Sequence, residues 1–253
     1  MSGLNKTDQR DCSRERDAGV DDMTGYYALK RKFRLKYAVD RCMAPIVLVL
    51  CLPVVLLAAF LIKLDGWIHP ENAGSVFYTE PRMSAGRMFN IVKFRTVPES
   101  VVKAIKETPE KASITGCREK TRAGEIILRW YLDELPQIIN ILKGEMSFVG
   151  PRPHVIAQSR DDVEKNGLIH REYIKAGLLG IIQAMKRDIG YHEMFSNMES
   201  SGLSRPEIQK KKYTFYADEC LKKSPLGIVF FDLCIIARGL ITVAKGEKVK
   251  KSV

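Results

Sequence analysis

Hydrophobic positions are distributed very unevenly along this chain. Between Arg41 and Lys63 no residue carries a charge, and the run Cys42–Ile62 is almost wholly aliphatic. As a helix, 21 residues extend about 31 Å, roughly the hydrocarbon thickness of a bilayer. The run is preceded by about forty polar residues and followed by no small-residue cleavage site, so it is unlike a signal peptide. The stretch 1–29 is polar, with six acidic and four basic residues and no period, and is expected to be a mobile tail. Ser75–Thr79 and Phe89–Thr96 read as short strands around a turn at Ser84-Ala85-Gly86. The stretch 98–121 predicts a surface helix or loop. Gly124–Leu142 has helical spacing broken at Pro136, while 155–175 and 204–223 predict charged helices. Leu226–Val243 is strongly apolar apart from Asp232 and Arg238, and predicts an amphipathic helix on the core or at a lipid interface.

Charge sharpens the picture. Lys and Arg number 41 against 30 Asp and Glu, a net charge of +11, which calls for an anionic partner. Lys30, Arg31, Lys32, Arg34, Lys36 and Arg41 crowd the N-terminal side of the apolar run, which keeps that side cytosolic and suits anionic lipid heads. A nucleic-acid partner is therefore not expected. Pro53 lies near the middle of the run, where a missing N–H and a ring clash kink a helix. The residues leave open whether the segment crosses the membrane or dips into one leaflet and returns. The six cysteines form no CxxC pair, which argues against a zinc ribbon and a disulfide scaffold.

Candidate chemistry concentrates in Leu132-Asp-Glu-Leu-Pro-Gln137 and the following 143–153 stretch. Two adjacent carboxylates, Asp133 and Glu134, precede Pro136 at a helix start, at the mouth of the apolar Ile138–Leu142. Arg152 sits between Pro151 and Pro153, so its guanidinium is rigidly presented and suits a phosphate. Lys93 and Arg95 alternate with Phe94, which on a strand places both cations on one face. Carboxylates near clustered cations describe a site for a metal-bound polyphosphate, with Mg²⁺ held by one or two carboxylates and the substrate.

Lys93-Phe-Arg-Thr96, the 132–153 block and the Pro-centred apolar segment together resemble the bacterial sugar transferases, monotopic phosphoglycosyl transferases that begin membrane-linked glycan assembly. The resemblance runs from about Lys36 to Gly246 and is that of the minimal catalytic form, without the four-helix membrane domain of larger members.

It implies an α+β, mainly helical fold: a re-entrant membrane helix plus a small cytosolic α/β catalytic domain with amphipathic interfacial helices. The implied divisions are a tail at 1–29, a basic approach and re-entrant helix kinked at Pro53 at 30–64, a transferase domain at 65–246 and a basic tail at 247–253.

The implied reaction moves a sugar 1-phosphate from a nucleotide sugar, usually a UDP-sugar, to polyprenyl phosphate, releasing UMP. Such a step initiates exopolysaccharide, capsule or O-antigen-type glycans at the cytosolic face of the bacterial inner membrane, ahead of downstream glycosyltransferases. Asp133 would be the nucleophile and Glu134 would hold Mg²⁺. Lys93, Arg95, Arg152, Gln183 and Arg187 would bind phosphate or nucleotide, with Asp218 in support.

The chain departs from the family pattern in places. Leu52 stands where Ser often precedes the central proline, the Arg-x-Gly turn reads Arg82-Met-Ser84, and the 176–187 stretch is altered. A catalytically impaired, membrane-anchored scaffold of a glycan-assembly system is the alternative those departures leave.

Overall fold

The computed structural model describes residues 6–107, 114, 117–180 and 204–244. Among these residues the architecture is mainly helical, with two small two-stranded sheets and one long apolar helix near the N-terminus, in keeping with the α+β expectation.

That helix, α1, runs over Lys6–Ile68 and stays helical through Pro45 and Pro53. The expected tail boundary at residue 29 therefore falls inside a helix, and Leu29 is itself part of the core. Helical periodicity divides the apolar run into two faces. On the inner face, Leu29, Phe33 and Ala44 join Ile138, Ile141, Met146, Val149, Ala217, Ile228 and Ile235 in the main core. Farther along the same helix, Ala58 and Ile62 pack with Phe94, Ala123 and Ile127 in a second cluster. On the outer face, Met43, Ile46, Leu50, Leu57 and Phe60 are exposed, and both prolines lie on this side.

Strands β1 (Phe77–Ser84) and β2 (Arg87–Phe94) form an antiparallel hairpin in which Tyr78 pairs with Lys93 and Glu80 with Ile91. Ala85 and Gly86 both adopt left-handed backbone, φ 48° and 70°, the conformation a two-residue hairpin turn requires. The hairpin is longer on its first strand than the sequence suggested, and β2 ends at Phe94, so Arg95 lies just outside it.

Helix α2 (Glu99–Lys106) follows, then α3 (Arg122–Arg129) and α4 (Ile138–Lys143). Strands β3 (Ser147–Gly150) and β4 (Gly177–Gly180), separated by α5 (Ile156–Glu164), form a parallel pair that the hydrophobic pattern did not announce. Gly150 and Gly177 allow their close approach, since a Cβ on Gly177 would sit 2.1 Å from the Gly150 nitrogen. Helices α6 (Arg205–Lys222) and α7 (Pro225–Ala244) then pack on the N-terminal half of α1. The stretch 155–175, expected to be a solvated helix, is α-helical only over α5, with a 3-10 turn at Ile169–Glu172, and it buries Asp162, His170 and Arg171.

Candidate active site

The Asp-Glu pair occupies a turn rather than the first turn of an α-helix. Tyr131, in left-handed backbone with φ 55°, starts a 3-10 segment over Leu132–Gln137 that runs directly into α4. A left-handed tyrosine is a costly local conformation, and it sits two residues before Asp133. Pro136 fits within the 3-10 segment, and Ile138 and Ile141 then anchor α4 in the core. Asn140, fully buried, fixes α4 to the hairpin: its Oδ1 accepts from the Val92 amide at 3.0 Å and its Nδ2 donates to Asn90 O at 2.8 Å. The helix that follows the two acids is therefore tied to the strand that carries Lys93.

Beside these residues lies a cavity of about 280 Å³ lined by Lys93, Glu134, Gln137 and Arg152, together with Arg82 and His154. Glu134 accepts a hydrogen bond from Arg152 across a short ion pair. Beneath the cavity, the buried Glu80 carboxylate receives Arg82 Nη2 at 2.5 Å and lies 3.3 Å from Lys93 Nζ. Its other oxygen accepts from the Tyr78 hydroxyl at 3.4 Å. Glu80 thus holds two cavity-facing cations that would otherwise repel each other on one hairpin face. Asp133 is 8% exposed, and desolvation together with Glu134 raises its carboxyl to about 6, against the opposing pull of Lys93 and Arg152. At neutral pH it is ionised, yet poorly solvated, the condition of a usable nucleophile.

The structure brings together Asp133, Glu134, Lys93 and Arg152 of the residues singled out by sequence. It does not bring Arg95. That guanidinium points away from the cavity and donates to three backbone carbonyls, Ser75 O at 2.6 Å, Asn72 O at 2.7 Å and Val97 O at 2.8 Å. The strand stops at Phe94, two residues short of the expected Thr96, so alternation does not reach Arg95, which braces the chain around β1 instead. Asp218 is exposed on α6 and does not line the cavity. The late aspartate with a buried role is Asp232, which meets Lys36 and the Tyr216 hydroxyl. Gln183 and Arg187 lie outside the described residues. Pro53 belongs to the exposed side of α1. Sequence reasoning missed Glu80, Arg82, Gln137 and His154 as site residues. The alternation Tyr78-x-Glu80-x-Arg82 opposite Lys93 was the available signal for the first two.

Comparison with known proteins places the chain in a family. The pattern of the bacterial sugar transferase family matches residues 31–202, a span that includes every cavity residue named above. A UDP-glucose:undecaprenyl-phosphate glucose-1-phosphate transferase of Xanthomonas campestris is 35% identical over 171 residues, covering 66% of this chain and 32% of that protein. A UDP-N-acetylgalactosamine-undecaprenyl-phosphate N-acetylgalactosaminephosphotransferase of Aeromonas hydrophila is 33% identical, covering 60% of this chain and 34% of the relative. The exopolysaccharide production protein ExoY of Rhizobium meliloti is 33% identical, covering 62% of this chain and 71% of its own length. The chain thus spans about a third of the length of the larger curated relatives it matches. With the family pattern extending over well over half of its residues, the chain belongs to the bacterial sugar transferase family.

Proposed function

We propose that this chain transfers a sugar 1-phosphate from a UDP-sugar to polyprenyl phosphate with release of UMP. The observation that carries the proposal is Asp133, a buried carboxylate beside a cavity presenting Arg82, Lys93 and Arg152. In the first half-reaction an Asp133 oxygen attacks the sugar-bearing phosphorus. An acyl-phosphate bond forms, the phosphoanhydride P–O bond breaks, and its electron pair leaves on UMP. In the second, an oxygen of the lipid phosphate attacks the same phosphorus and regenerates the Asp133 carboxylate. Lys93 and Arg82 meet the phosphates of either substrate in turn, and Arg152 can exchange Glu134 for a phosphate.

Glu134 would hold Mg²⁺. No set of three or more metal-binding side chains occurs among the described residues, and one or two carboxylates completed by substrate phosphates is the donor set Mg²⁺ commonly takes. When bound, the ion would neutralise charge developing on the leaving phosphate.

The membrane arrangement proposed is re-entrant. Lys36 and Asp40, before the apolar run, are bound by Asp232 and Ser147. Asp65, after the run, accepts from the Ala123 amide at 3.1 Å. One domain therefore grips both flanks of the run, which supports an α1 that enters and leaves on one face. Exposed Leu226, Phe230, Leu233 and Leu240 on α7 add a second apolar stripe, while exposed Trp67, Trp130 and Tyr131 suit an interfacial belt. The proposed location is the cytosolic face of the bacterial inner membrane, where nucleotide sugars and basic flanks both belong, with downstream glycosyltransferases extending the product.

The test is UMP release from a panel of UDP-sugars, with polyprenyl phosphate and Mg²⁺, beside Asp133→Asn. Release that requires Asp133, with a phosphosugar adduct on that residue when the lipid is withheld, is expected. Release undiminished in Asp133→Asn would overturn the covalent route.

A further inference from the structure

Arg152 presents its guanidinium from the Pro151–Pro153 turn, and three residues at and behind the cavity wall converge on that turn. His154, which lines the cavity, lies with Nδ1 2.7 Å from Asp162 Oδ2 and with Nε2 3.4 Å from Arg171 Nη2. An arginine only donates, so Nε2 accepts and the ring proton resides on Nδ1, directed at Asp162. Arg171 also donates through Nη1 to the Arg152 carbonyl at 3.1 Å, and its Nε forms an ion pair with Asp162 at 3.3 Å. The Tyr213 ring closes the outer side, 5.6 Å from the Arg171 guanidinium carbon and edge-on to His154.

Asp162 and Arg171 are each 7% exposed. A buried Asp–Arg pair gains little stability over apolar packing of the same volume, so its place in the fold calls for another reason. The neighbouring carbonyls suggest one. Pro151 O accepts from the Gly177 amide at 2.9 Å and His154 O from the Met83 amide at 3.4 Å. Arg171 supplies the contact to the carbonyl of Arg152 itself. Burial, together with Arg171 and against the pull of Asp162, keeps His154 below its ordinary range, so the neutral ring that this geometry needs is the one present at pH 7.

We propose that Asp162, His154 and Arg171 are positioning residues that act through Arg152, bracing the 151–154 turn so that its guanidinium meets the phosphates of a nucleoside diphosphate. Only the identity of that ligand rests on the proposed transferase function; the brace itself is a statement about the turn.

Two measurements on the full chain in detergent test it. Calorimetric binding of UDP with Mg²⁺ is compared for wild type, Arg171→Lys, Arg152→Ala and the double variant. Lysine keeps the charge but cannot bridge Asp162, His154 and the Arg152 carbonyl together. Arg171→Lys is expected to weaken UDP about tenfold when Arg152 is present and to add less than about twofold when it is absent. Equal losses in both backgrounds would show that Arg171 does not act through Arg152. Hydrogen exchange of the ligand-free protein is the second measurement, with Asp162→Asn as a near-isosteric variant. Exchange should rise in the peptide over 148–158 and stay unchanged in α4 and the hairpin. A rise through the whole domain would reduce the cluster to ordinary core support. A wild-type chain that binds no UDP would count against the donor class, while the exchange data would still decide the brace.

Discussion

Two charge clusters within this fold use the same residue types, and their difference separates chemistry from anchoring. One is the cavity group of Asp133, Glu134, Lys93, Arg82 and Arg152, with Glu80 beneath it. The other joins Lys36 and Asp40 of α1 to Asp232 of α7, with Tyr216 donating to Asp232 Oδ1 at 2.7 Å and Ser147 donating to Asp40 Oδ2 at 2.6 Å. In the second cluster protein groups surround each charge, and Lys36 is 1% exposed. In the first, the cations face open volume. A closed cluster can only hold helices in place, whereas an open one can exchange its partners for phosphate. Burial raises Asp232 above the ordinary carboxylate range in spite of Lys36, and raises Asp133 in spite of Lys93 and Arg152. A perturbed carboxylate is therefore not enough to mark the reactive one; the cavity beside it is.

The sharpest way to break the comparison is to neutralise one carboxylate in each cluster. Asp133→Asn is expected to lower transfer by at least about a thousandfold, since it removes the proposed covalent nucleophile. It should not lower stability. Folding raises Asp133 from 3.8 to about 6, so between those values the folded state binds the extra proton and stability falls as pH rises. At pH 7, where both states have lost the proton, the variant escapes that cost, and its Tm in the absence of Mg²⁺ should match or exceed wild type. In the closed cluster the outcome reverses. Lys36→Met leaves Asp40 and Asp232 buried without their cation, a loss of about 3–5 kcal/mol seen as a large drop in denaturation midpoint. Adding Asp232→Leu should recover part of that loss, because the stranded carboxylate is gone.

Legibility in the sequence followed the same division. The apolar run, the hairpin and the 132–153 block were readable because each is local: composition, a two-residue turn and adjacent residues carry them. The β3–β4 pair was not, since it joins Ser147 to Gly177 and only two glycines hint at the close approach. Arg95 was misplaced because alternation says which way a side chain points on a strand but not where the strand stops, and Phe94 is its last residue. Asp218, the aspartate named in support, is exposed, whereas Asp232 lies in an apolar helix whose only other charged residue is Arg238. A lone charge on an apolar face is the stronger sign of a buried partner.

A third prediction concerns the buried histidine that precedes Arg171 in the chain. His170 is 1% exposed, neither ring nitrogen has a hydrogen-bond partner among the described residues, and burial lowers it from 6.5 to about 3. Below pH 6.5 the unfolded chain takes up a proton that the folded chain refuses. Stability therefore falls as pH drops towards 3, by about 1.4 kcal/mol per unit from this residue. His170→Phe should flatten that part of the stability profile between pH 6 and about 4 in urea titrations while changing little at pH 8. A profile that stays as steep would place the acid sensitivity elsewhere.

The smallest effect is expected at the far flank of the apolar run, where among the described residues anchoring uses no ion pair of the Lys36 kind. Asp65 accepts from the Ala123 amide at the start of α3, and Asn72 Nδ2 lies 3.5 Å from both of its oxygens. The same helix start is capped a second time, because the Thr121 hydroxyl accepts from the Gly124 amide at 2.9 Å. Asp65→Asn keeps an acceptor of the same shape, so one charge-assisted bond becomes a neutral one while the Thr121 cap persists. The expected cost is about 1 kcal/mol or less, with transfer activity at saturating substrate unchanged. Thr121→Ala alone should cost a similar amount, but the two together should exceed their sum, because the Gly124 amide would then lose its cap while the Ala123 amide keeps only a neutral acceptor at a buried helix start. Strict additivity would mean that the two caps serve α3 independently. The flank of α1 nearest Asp133 would then be held by apolar packing through Ala58 and Ile62, in contrast to the charge-locked flank at Lys36.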